Sequence, residues 1–172
     1  MATNTGNSGC IVVVIIIALI AGGVYGIRSC SQNAETKPFA SHLSEYTFFP
    51  ALKDSSSSTT IRGKVITIDK TKTEIDDTFF DLPTELKATK PEEVGTVVWV
   101  SCSEYVAGTY VSGSKAYVQT CEVTVIDKSS ASIIGKRSLT GSQPPQTKTY
   151  SGDWHGSKPK SEIVDYIKSL KH

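Results

Sequence analysis

From Cys10 to Ile27 the chain reads C-I-V-V-V-I-I-I-A-L-I-A-G-G-V-Y-G-I without a charged side chain, and Arg28 ends the run. Made helical at about 1.5 Å per residue, it spans roughly 27 Å, close to the bilayer hydrocarbon thickness of about 30 Å. Left in water, the same run would be a large exposed apolar surface. We therefore expect a single transmembrane helix over residues 10–28, behind a polar tail of residues 1–9, with lipid as its partner through residues 10–27. A cleaved signal peptide is the competing reading, with Ile11 to Ile20 as its apolar region and Ala21 and Gly23 before the cut. Residues 1–9 carry no Lys or Arg, however, and such peptides normally open with positive charge. A lipoprotein signal needs a small-residue pair before a cysteine, and Arg28-Ser29 before Cys30 does not supply it.

The side of the membrane stays open at this point. Arg28 follows the helix and, by the positive-inside rule, draws the C-terminal part to the cytoplasm. Cys102 and Cys121, as a potential disulfide, draw it the other way.

The 172 residues suit one domain with an appendage. Lys plus Arg number 18 and Asp plus Glu 17, so no net field gathers nucleic acid, and none is expected as a partner. Residues 29–60 read as a linker, because tracts such as Ser55 to Thr60 bury too little apolar surface to offset chain entropy. Within it, Phe39, Leu43 and Tyr46 recur near helical spacing, followed by Phe48 and Phe49, until Pro50 stops the pattern. This short amphipathic piece either packs on the domain or lies at the lipid surface, and packing is the simpler reading.

Residues 61–172 are expected to form the folded domain, an α+β unit. Branched and aromatic residues there favour a mainly antiparallel sheet of about five strands. Ile61 to Asp69 is a strand turning back toward Glu74 and Ile75; T-V-V-W-V-S-C-S-E-Y-V is central; Ala116 to Asp127 returns beside it, and Ala131 to Leu139 follows. The echo V-I-T-I-D-K and V-T-V-I-D-K places Asp69 and Asp127 ahead of turns, where a carboxylate accepts hydrogen bonds from the amides that follow. Pro144-Pro145 forbids a central strand, and a last helix puts Ile163, Tyr166, Ile167 and Leu170 on one face, to lie on the sheet.

The stretches E-E-V-G-T-V-V-W, G-T-Y, A-Y-V-Q-T-C-E-V-T-V-I-D, G-S-Q-P-P and K-P-K-S-E-I-V-D-Y-I, over residues 92–167, together resemble small bacterial membrane-anchored proteins of no known activity. That resemblance implies a folded α+β domain and carries no catalytic residues to transfer.

Site candidates are few. Asp153, Trp154 and His155, between Gly152 and Gly156, can present an aromatic face and a titratable ring on a turn, as binding loops do. The blander reading, which we adopt, has Trp154 plugging the core edge. Cys102 and Cys121 alternate onto matching faces of adjacent strands, as a disulfide or a thiol pair. A two-residue turn at Ser112-Gly113 would leave them diagonal, and a bulge or a different turn would bring them opposite. The carboxylates Asp69, Asp76, Asp77, Asp81 and Asp127 read as turn caps and solvated surface. No C-x-x-C, His cluster, G-x-S-x-G or phosphate-binding glycine loop is present, so no metal or cofactor is expected. The leading expectation is a membrane-tethered, non-catalytic binding or scaffolding module; the alternative is a thiol-active or hydrolytic enzyme using Cys102, Cys121 or His155.

Overall fold

A computed structural model of the chain describes residues 32–54, 59–149 and 151–171. The chain divides into two compact units, residues 1–40 and 41–172. In the first, residues 32–36 form a turn of helix in which the Thr36 hydroxyl donates to the Gln32 carbonyl. The expected membrane helix lies outside the described residues; among these, no helix is long and apolar enough to cross a membrane.

The second unit is α+β. Helix α1 (Leu43–Thr47) and strand β1 (Lys53–Asp54) come first, followed by β2 (Lys64–Asp69) and β3 (Glu74–Ile75). The long strands β4 (Val94–Thr109) and β5 (Lys115–Asp127) precede β6 (Ser132–Thr140), the short β7 (Trp154–His155) and helix α2 (Lys160–Ser169). Among the described residues the sheet has seven strands, in the order β1-β6-β5-β4-β2-β3, with β7 added beside β5.

The sheet is mixed, which corrects the antiparallel expectation. The β2–β3, β4–β5 and β5–β6 pairs are antiparallel as read from the sequence, but β2–β4, β1–β6 and β5–β7 are parallel. Parallel neighbours need a long connection, and residues 70–93 supply it. After the two-residue β3 the chain leaves the sheet through a 3-10 turn, Asp77–Asp81, that Asp76 caps by accepting from the Thr78 amide. A second 3-10 turn, Pro91–Glu93, starts β4 at the same end as β2. Within residues 29–60, β1 pairs with β6 and Tyr46 of α1 is fully buried.

Both sheet faces are covered where β2, β4, β5 and β6 lie together. Alternation sends Val98, Val100, Val123 and Val125 to one face and Val97, Trp99 and Ile126 to the other, all buried except Trp99. On the first side α2 buries Ile163, Tyr166 and Ile167, with the Arg137 guanidinium of β6 5.4 Å from the centre of the Tyr166 ring. On the second, the chain around α1 covers Trp99, whose ring also meets Phe49 at 5.6 Å. Asp69 and Asp127 perform the expected turn-capping. The Asp69 carboxylate accepts from the Thr71 and Lys72 amides, and that of Asp127 from the Ser129 and Ser130 amides.

Candidate functional site

Beyond Val100 and Val123 the β4–β5 hairpin projects past β2, and the candidate residues gather on this projection. Cys102 and Cys121 face each other and are joined as a disulfide, with Cα atoms 4.0 Å apart. Two local irregularities produce that register. The loop is three residues long, Val111 to Gly113, because Tyr110 accepts from the Gly113 amide and donates to Ser114, with Gly113 at φ 83° completing the turn. A bulge between Val106 and Gly108 supplies the second one-residue shift.

The loop after β6 returns to the hairpin and pins β7 beside Ala116 and Tyr117. Its ends are clasped. The Ser142 amide donates to the Ser157 carbonyl at 3.3 Å, and the Ser157 amide to the Ser142 hydroxyl at 2.8 Å. The Gly141 and Gly156 amides donate to the carbonyls of Gln119 and Tyr117. Asp153 then accepts from the Lys115 amide at 2.7 Å, holding the loop to the turn end of the hairpin. Trp154 is half-buried, and its neighbour His155 emerges on the opposite face. The imidazole stacks on Tyr117 at 4.7 Å and 8°, and its Nδ1 lies 3.1 Å from Glu104 Oε2. Glu104 and Tyr117 had no place in the sequence reading. Strand alternation alone could have put Glu104 on the Cys102 face, but nothing local announces the partner from residue 155.

On that same face, where β2 turns away from β4, a cavity of about 460 Å³ opens beside the disulfide. Cys102 and Gln119 line it, together with Lys158 and the carboxylates of Asp69, Glu74 and Asp76. The Asp76 side chain is 2% exposed and is held by Lys158, itself 16% exposed. Lys158 also reaches Asp77 at 2.7 Å, and Lys160 bonds Asp77 from the start of α2. Burial works against ionisation of Asp77, yet the hydrogen bonds from Lys158 and Lys160 outweigh it and hold the carboxyl below its ordinary value. The structure thus unites Asp69, Asp76 and Asp77 around one opening, whereas Asp81 and Asp127 lie outside its lining. Lys158 has no signal in the sequence because a lysine before a helix looks like any solvated lysine; only the fold brings its ammonium to the buried Asp76.

Cys102 and Cys121 are bonded to each other, and the two clasp serines are hydrogen-bonded together at 3.1 Å. Among the described residues His155 pairs with Glu104, and no hydroxyl is hydrogen-bonded to it. Among the described residues no group of three His, Cys, Asp or Glu side chains could hold a metal ion. Comparison of the chain with family models, curated proteins and solved structures finds no match.

Proposed function

We propose that the chain is a membrane-tethered, non-catalytic binding module. Its apolar run at residues 10–27 anchors it, and the groove beside the Cys102–Cys121 bond receives the partner. The observation that carries the reading is the cavity itself: charged side chains surround it, and they are engaged in ion pairs with one another rather than poised against a nucleophile. A disulfide persists in oxidising compartments, and this favours the domain outside the cytoplasm. The thiol-active alternative keeps one feature in its favour, since Cys102 lines the cavity and is reachable by an attacking thiolate.

Photo-crosslinking residues placed singly at Thr71, Gln119 and, as a remote control, Glu162 of the full chain in its native membranes test the reading. Discrete adducts from the first two positions and none from the third are expected, with the chain staying in the pellet after alkaline carbonate extraction. Groove positions no different from the control would overturn the binding role. Release by carbonate would overturn the tether.

A further inference from the structure

In an antiparallel ladder, residues that exchange hydrogen bonds with the opposite strand alternate with residues that point their N–H and C=O away from it. Val100 is of the second kind, since its carbonyl accepts from the Lys70 amide at 2.9 Å on the β2 side. By the same alternation Cys102, Glu104 and Val106 aim their backbone groups to that side too. The other edge of the hairpin confirms the phase. Gln119 and Tyr117, which face Glu104 and Val106, turn their carbonyls outward to the Gly141 and Gly156 amides. That edge is closed by β6 and β7. The β4 edge is not: pairing with β2 ends at Val100, and among the described residues no strand follows beside Cys102 to Val106.

An open edge is a template for another strand, and proteins usually blunt one with Lys, Pro or a covering segment. Residues 101–109 contain neither Lys nor Pro, and Tyr105 and Val106 are each 49% exposed. The one charge here, Glu104, is engaged by His155. Where the edge opens it borders the cavity, so a strand laid along it would send alternate side chains toward Cys102 and the acidic lining. With Lys160 behind Asp77 and Glu104 further along the strand, five carboxylates stand against three ammonium groups: Asp69, Glu74, Asp76, Asp77 and Glu104 against Lys72, Lys158 and Lys160.

We infer that the Cys102–Val106 edge of β4 takes an extended basic peptide segment of a partner protein as an added strand, its lysine or arginine side chains entering the acidic cavity. Backbone hydrogen bonds to Cys102, Glu104 and Val106 supply affinity, and the excess of carboxylates selects the charge. The inference rests on the binding-module reading and names the partner for its groove.

The test uses the full chain in detergent micelles and a blocked hexapeptide of alternating lysine and valine, followed by fluorescence anisotropy. Three companions are a glutamate–valine peptide, a lysine–valine peptide N-methylated along one edge, and the Val106→Pro protein. Proline at an outward-pointing N–H leaves the β5 pairing in place, and Glu104→Gln serves as a second variant with no backbone change. Saturable binding of the lysine peptide is expected, weakened at least tenfold by N-methylation, by glutamate and by Val106→Pro, and several-fold by Glu104→Gln. Binding that survives N-methylation would overturn strand addition, and equal binding of the glutamate peptide would overturn the charge choice. Absence of binding at millimolar peptide, or pairing of two copies through this edge in place of peptide, would overturn the inference as a whole. None of these outcomes touches the crosslinking result, so the inference and the binding-module reading fail separately.

Discussion

The indole N–H of Trp99 donates to the backbone carbonyl of Tyr46 at 2.7 Å, tying the centre of the sheet to a segment that precedes it by 53 residues. Lys70 reinforces the tie, with its ammonium 3.8 Å from the centre of the Trp99 ring and donating to the Thr47 carbonyl. Tyr46 is therefore a core residue. Tyr46→Ala is expected to cost about 3–5 kcal/mol, as for other fully buried aromatic rings, and chemical denaturation of the wild-type and variant chains measures it. A loss under about 1 kcal/mol, the size of one net hydrogen bond, would mean that α1 merely rests on the surface.

The Tyr46 hydroxyl offers a second measurement. Burial first, and then the charges of Glu45 and Glu92, push its pKa up to about 12 from an ordinary value of 10. Between those values the unfolded chain has released this proton and the folded chain has kept it, so stability falls as pH rises through the interval. A shift of that size is on the order of 2–3 kcal/mol. Tyr46→Phe should abolish that part of the alkaline loss. An identical alkaline profile in the variant would show that the phenol does not titrate as described.

Lys158 is expected to behave as a core residue despite its charge. Lys158→Met leaves the Asp76 carboxylate, 2% exposed, without its counter-ion, and breaking a buried pair from one side costs about 3–5 kcal/mol. Adding Asp76→Asn should restore much of the loss. The same cluster gives an acid signature. The folded pKa of Asp77 is depressed, so its contribution is present above the unfolded value of about 3.9 and is lost as pH falls through the folded one. Acid unfolding followed by circular dichroism should be less steep in Lys158→Met. Equal steepness would separate Asp77 from Lys158.

These residues also mark where sequence reading ends. Periodicity sufficed for β4, β5, β6 and α2, because alternation and three-to-four spacing are local properties. It also sufficed for Asp69 and Asp127, whose hydrogen bonds run to the next few residues. The parallel β2–β4 pair was not legible, since the choice between hairpin and crossover lies in how residues 70–93 cross the sheet. The cavity draws on residues from 69 to 158, and His155 finds Glu104 51 residues away. Lone Asp, Glu and Lys side chains look alike in a sequence until the fold decides which are buried together.

Gly141 tests the clasp that positions His155. A Cβ there would stand 1.9 Å from the Ser157 carbonyl oxygen and 3.3 Å from that of Gln119, both backbone atoms. Gly141→Ala should therefore part Ser142 from Ser157 and loosen β7, while the β4–β5 ladder and the disulfide persist. Tyr117 and His155 ring resonances in NMR spectra report the outcome, shifting toward unstacked values as the 4.7 Å contact is lost. Unchanged spectra would show that the loop closes without this approach.

The disulfide closes a loop between positions 19 residues apart and, in the chain-entropy account, adds about 3 kcal/mol by restricting the unfolded state. Cys121 is fully buried with Val123 and Val125 on the same face, so the sheet has other reasons to hold its register once the bond is gone. Reduction should accordingly lower the denaturation midpoint without unfolding the domain at rest, and the Cys102→Ser, Cys121→Ser double variant should match the reduced protein. Topology can be read from the same pair. Alkylation of unreduced native membranes should leave Cys102 and Cys121 unlabelled, because an oxidising compartment keeps them bonded. Labelling of both without reductant, only after the membrane is made permeable and the protein denatured, would place the domain in the cytoplasm as Arg28 suggests and overturn the outward orientation.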